Sequence, residues 1–153
     1  MQQSIYSMQF TGKAEPSGQA PNVLRARTVA PSCEISSVVS PDGIEGIMRT
    51  VSGQESTFES QVTLTGESTF DESGTICFGD GRNALHFSTV GEGHLGPSPS
   101  PLVNHGSVIW KVEGGEGLFQ GASGLITSNF TISDTGYVID NHLGVIYVGS
   151  SNG

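Results

Sequence analysis

Hydrophobic and polar positions alternate with a period of two along most of this chain. Tyr6, Met8 and Phe10 alternate with Ser7 and Gln9, and Phe58, Val62 and Leu64 oppose Glu59, Gln61, Thr63 and Thr65. Val108, Trp110 and Val112 alternate with Ser107, Ile109 and Lys111, and Ile126, Phe130 and Ile132 with Thr127, Asn129 and Thr131. The run from Tyr137 to Val148 is apolar on both faces in places, as a closing or buried strand would be. Successive side chains of a strand point to opposite faces, so this pattern predicts half-buried strands. Turn chemistry punctuates it at Pro41-Asp42-Gly43, Glu72-Ser73-Gly74, Asp80-Gly81 and Asp134-Thr135-Gly136. No capped segment of helical period is visible, so the chain reads as all-β, an antiparallel sandwich or barrel. Residues 15–21 and the proline-rich 96–104 read as loops, because Pro97, Pro99 and Pro101 cannot donate to a central ladder.

Length and composition narrow this reading. A chain of 153 residues predicts a single domain over 1–153, large enough for one core. Six Lys and Arg against fifteen Asp and Glu give a net charge of −9, with no basic cluster, which argues against nucleic acid as a partner. No stretch has the length of an apolar membrane helix, and the start of the chain does not read as a signal peptide. No membrane association and a cytoplasmic location are therefore expected. Two cysteines, Cys33 and Cys77, do not make a disulfide framework and are expected as free thiols.

Candidate chemistry is sparse. Four histidines, His86, His94, His105 and His142, lack the close spacing of a metal site, and nucleotide or nucleophile-elbow motifs are missing. Neither metal nor cofactor is expected. Asp140 and His142, two apart on one strand, point to the same side, and facing inward they would form an acid–base pair. Together with Tyr147 they are the candidate catalytic residues. Tyr6, Arg49, Glu59, His86, His105, Trp110 and Phe130 are candidates for lining a substrate site, each being a polar-headed or aromatic residue on a strand. Which face of each strand looks inward is not fixed by the pattern.

The segment Glu113 to Phe130 crowds Gly114, Gly115, Gly117, Gly121 and Gly124 around Phe119, as a sharply bent hairpin requires. Its core, Gly117-Leu118-Phe119-Gln120-Gly121-Ala122-Ser123-Gly124, resembles the G-x-F-x-G-A-x-G signature of allene oxide cyclase-like and dirigent-like β-barrels. The resemblance covers His105 to Val148. It implies a single closed antiparallel barrel of about eight strands with a central cavity, often oligomeric. The expected function is then a cofactor-independent isomerase, cyclase or lyase acting on an apolar or aromatic small molecule in the lumen. The alternative is a non-catalytic binding or carrier barrel. A homo-oligomer, dimer or trimer, is expected if Val39, Ile109 or Ile146 points outward.

Overall fold

A computed structural model describes residues 1–149. Eleven strands form: β1 (Gln2–Pro16), β2 (Val23–Ala30), β3 (Cys33–Ser40), β4 (Gly43–Thr50), β5 (Ser56–Leu64), β6 (Thr69–Phe78), β7 (Asn83–Thr89), β8 (Gly93–Pro97), β9 (Val103–Glu116), β10 (Ser123–Ser133) and β11 (Tyr137–Val148). Eight of them close on themselves in the order β1-β2-β5-β6-β7-β9-β10-β11, with β11 returning to β1 over the register Gln2↔Val148 to Lys13↔Tyr137. Every neighbouring pair is antiparallel. Closure removes the free edges that an open sheet would present. The short β8 lies in the same gap between β6 and β9 and continues the line of β7 after a break at 90–92, where Gly91 has a positive φ.

Closure also settles which faces look inward. Phe10, Phe58, Phe70, Ile76, Phe87, Val108, Trp110, Val112, Ile126 and Ile146 form one buried core inside the barrel. The aromatic rings stack through it, Phe58 on Phe87 at 5.4 Å and Phe87 on Trp110 at 4.4 Å between centroids. Ile146 is buried, so of the three residues that would promote association only Val39 and Ile109 lie outside.

Glu72-Ser73-Gly74 is not a turn. It lies inside β6, with Phe70, Glu72 and Ile76 directed to the interior. Glycine is needed at 74 for proximity, since a side chain there would collide with the Glu59 carbonyl and with Ser60 on β5. The proline-rich segment likewise begins as strand, with β8 running to Pro97, and β1 runs on to Pro16. Pro97 and Pro16 end their strands, where a missing N–H costs least.

The glycine-rich hairpin connects β9 to β10 through one 3₁₀ turn, Gly117–Phe119. Gly124 has φ +134°, and a side chain there would strike the Val145 carbonyl of β11, so the position needs glycine twice over. Phe119 packs on Phe78 at 5.4 Å and plugs this end of the barrel.

Strands β3 and β4 stand apart as a two-stranded arm, joined at its root by the Val51 amide donating to the Ser32 carbonyl at 2.9 Å. Its register places Ile35 beside Met48 and Val39 beside Ile44 on one face, and Glu34 beside Arg49 on the other. The first face is apolar yet exposed, Val39 by 77% and Ile44 by 74%.

Candidate functional site

One half of the lumen is packed solid and the other half is not. Trp110 (0% exposed) and the rings around it fill the half toward the glycine-rich hairpin. Toward the opposite mouth a cavity of ≈ 60 Å³ remains, lined mainly by apolar side chains, among them Leu24, Phe58, Val62, Phe70, Leu95 and Phe130. Three polar side chains reach it: Thr28 from β2, Glu72 from β6 and Asp140 from β11. Inward-facing periodicity places all three: Thr28 shares its side of β2 with Ala26 and Ala30, and Asp140 shares its side of β11 with Val138 and His142.

Each carboxyl is fixed by a partner. Ser60 Oγ donates to Glu72 Oε2 at 2.6 Å. The Glu72 backbone is clamped by the Thr89 hydroxyl, which accepts from its N–H and donates to its carbonyl, both at 2.8 Å. Ser128 Oγ donates to Asp140 Oδ1 at 2.6 Å, and His142 Nε2 lies 2.9 Å from Asp140 Oδ2. A carboxylate only accepts, so the imidazole presents an N–H to it through Nε2. The imidazole stacks on Phe10 at 4.3 Å and meets Trp110 edge-on at 5.1 Å.

Burial sets the electrostatics. Glu72 is pushed up to about 8, first by desolvation, with the Asp140 charge adding to it, while the Ser60 hydrogen bond pulls the other way. The Trp110 indole is near enough to lower it too, but its N–H makes no hydrogen bond of normal geometry. Tyr6 is driven upward by desolvation and then by the Asp140 charge. Four buried polar atoms have no partner among the described residues: Tyr6 Oη, Thr28 Oγ1, Trp110 Nε1 and His142 Nδ1. Buried polar atoms are nearly always paired, so four inside one barrel mark this interior as unusual.

The structure brings together five of the ten residues singled out by the sequence. Asp140 (6% exposed), His142 (2%), Tyr6 and Trp110 face the interior, and Phe130 lines the cavity. The other five lie outside the lumen. Tyr147 stands on the outer wall and accepts a hydrogen bond from Gln3 at 3.0 Å. Arg49 is on the arm, facing Glu34 at 4.0 Å, and Glu59 pairs with Arg25 and Arg27 outside the barrel. His86 sits outside between Thr75 and Glu116, and His105 is exposed on β9. For Tyr147 the reason is parity: it is odd-numbered on a strand whose even-numbered residues turn inward. Glu72, Thr28, Ser60 and Ser128 were missed because small and charged residues on an inward face look like breaks in an apolar pattern. The usable signal was parity, since Glu72 lies two residues from Phe70 on the same strand.

Among the described residues no group of three metal-ligating side chains comes together, and no helix is long and apolar enough to cross a membrane. Cys33 and Cys77 are free thiols, both half-buried.

The closed eight-stranded antiparallel barrel is a fold also seen in a dirigent protein. The chain is similar to the solved structure of the pterocarpan synthase dirigent protein, with 17% identity and a TM-score of 0.51, over 100% of this chain and 91% of that one. At that identity the likeness establishes the fold. No family model and no curated protein matches the sequence.

Proposed function

We propose that this barrel holds a small apolar or aromatic molecule in its lumen and acts on it, without a cofactor, as an isomerase, cyclase or lyase. The observation that carries the reading is the buried Glu72 carboxyl, which opens onto an apolar cavity beside a second carboxyl, Asp140. An acid that keeps its proton up to about pH 8 is suited to general-acid work at neutral pH. Asp140, oriented by Ser128 and His142, would stabilise positive charge as it develops on the substrate. Walls of Phe58, Phe70 and Phe130 would hold the substrate in one conformer and exclude water. The dirigent protein of similar fold is described as a pterocarpan synthase, which supports small-molecule chemistry in such a lumen. Kinship with the allene oxide cyclase-like barrels belongs to this same proposal. The second reading is a carrier, which needs the apolar cavity but no acid and base.

The two readings part in one experiment. Wild type and Glu72→Gln are incubated with a metabolite extract, and the mixtures are compared by liquid chromatography and mass spectrometry. Wild type is expected to convert one compound to an isomer or to a product of elimination, and the variant to leave it unchanged. Equal conversion by both would remove Glu72 from the mechanism, and binding without conversion by wild type would make the protein a carrier.

Self-association is part of the proposal. Ile5, Leu143, Leu125 and Ile109 are exposed on neighbouring strands of the outer wall, and the arm shows a second apolar face. Two exposed apolar surfaces on one chain suit a ring of copies, with the arm of one lying on the wall of the next. Sedimentation is expected to give a dimer or trimer that Val39→Glu with Ile44→Glu converts to monomer. A wild-type monomer at all concentrations would refute it.

A further inference from the structure

We infer that the lumen recognises a nitrogen base: a small apolar amine or imine whose nitrogen, once protonated, sits among Thr28, Glu72 and Asp140. This rests on the reading of the lumen as a small-molecule site and adds the chemistry of the ligand.

The polar atoms facing the cavity are a carboxylate, a carboxyl group and a hydroxyl. Thr28 Oγ1 is 4% exposed as a residue and has no partner. The two carboxyl groups are each held by a serine, and the one imidazole nearby has its N–H engaged by Asp140. Among the described residues no lysine, arginine or histidine lines the cavity. An anionic ligand would therefore meet two carboxyl groups and no cation. A neutral alcohol could satisfy Thr28 but would bring no positive charge to the two carboxyl groups. An ammonium or iminium group supplies both the missing donors and the missing charge.

The rest of the cavity agrees. Phe58, Phe70 and Phe130 line it, and an aromatic face attracts a cation, most of all where water is excluded. The net charge of −9 draws cations toward the protein from a distance. The proton is also accounted for. A neutral amine or imine enters, the Glu72 O–H bond breaks, and a new N–H bond forms on the nitrogen lone pair. A carboxylate and a cationic nitrogen are left side by side, and no other reactant is consumed. For an imine, the iminium so formed is the stronger electrophile, which is what a cyclisation needs.

Three probes of similar shape test this: benzylamine, benzyl alcohol and benzoate, each titrated at neutral pH and fixed ionic strength. Binding is followed through the methyl resonances of Val62, Leu64 and Ile132. Benzylamine is expected to bind about tenfold more tightly than benzyl alcohol, equivalent to about 1.4 kcal/mol, with benzoate the weakest. Asp140→Asn is expected to erase the preference for the amine. Glu59→Gln, which removes the same charge from the outer wall, is expected to keep it. Should Asp140→Asn fail to fold, as judged by its melting curve, Thr28→Val takes its place and is expected to weaken the amine. Benzyl alcohol or benzoate binding as tightly as benzylamine would overturn the assignment to a nitrogen base while leaving the lumen as a binding site. No shift of the lumen methyls with any probe would instead defeat the lumen reading itself.

Discussion

Replacing Glu72 by glutamine is expected to stabilise this protein in alkaline solution, by up to about 5 kcal/mol above pH 8. The sign follows from proton linkage. In the folded barrel the Glu72 carboxyl releases its proton near pH 8, against 4.5 when exposed. Below pH 4.5 both states hold the proton, and the group costs nothing through ionisation. Between 4.5 and 8 the unfolded chain has released a proton that the native state keeps, so native stability falls as pH rises. Above 8 the native carboxyl is ionised in its apolar surroundings and the full penalty is present. A glutamine never ionises and can still accept from Ser60. The urea midpoints of wild type and Glu72→Gln should therefore lie close together at pH 4 and diverge toward pH 9, with the variant higher. A difference that does not change with pH would show that Glu72 is not held as a buried neutral acid.

The second large effect belongs to Trp110. Trp110→Ala is expected to cost about 3–5 kcal/mol, the usual range for deleting a large buried aromatic. Its ring packs against Phe58 at 5.4 Å, Phe87 at 4.4 Å and His142 at 5.1 Å, so no neighbour can close the gap without leaving its own contacts. Those neighbours sit on strands tied into a closed barrel, which cannot collapse inward as a loosely packed helix can. The gap would extend the existing cavity toward the plugged end. Indole added at millimolar concentration should then raise the melting temperature of the variant more than that of wild type, because it binds the folded state alone. A loss below about 1 kcal/mol would mean that the barrel contracts around the deletion.

The fold was readable from the sequence wherever one face of a strand is uniformly apolar. Val108, Trp110 and Val112 share one face as their alternation predicted, closure turns that face inward, and the hairpin from β9 to β10 is bent by its glycines. The pattern failed where an inward face carries polar residues. Glu72 beside Ser73 and Gly74 has turn composition, yet all three continue a strand because Gly74 lets β5 pass close by. Local chemistry cannot report that tertiary reason. The same limit governed the site. Asp140 and His142 were visible because two titratable groups share a parity on one strand. Ser128, which bonds Asp140, and Glu72 and Thr28, which share its cavity, come from three other strands, and only barrel closure brings them together. The arm lacked a clear signal because both faces of β3 and β4 are exposed.

The pairing of β1 with β11 governs how the molecule is made. These strands sit at opposite ends of the described chain, and their ladder runs from Gln2↔Val148 to Lys13↔Tyr137. During synthesis β1 waits, with one edge unpaired, until β11 has left the ribosome. Contacts so distant in sequence fold slowly, because chain entropy is lost before the pairing is gained. In that interval the Tyr6–Phe10 face has neither a closing neighbour nor a formed core beneath it, and the nascent barrel passes through an open, aggregation-prone sheet.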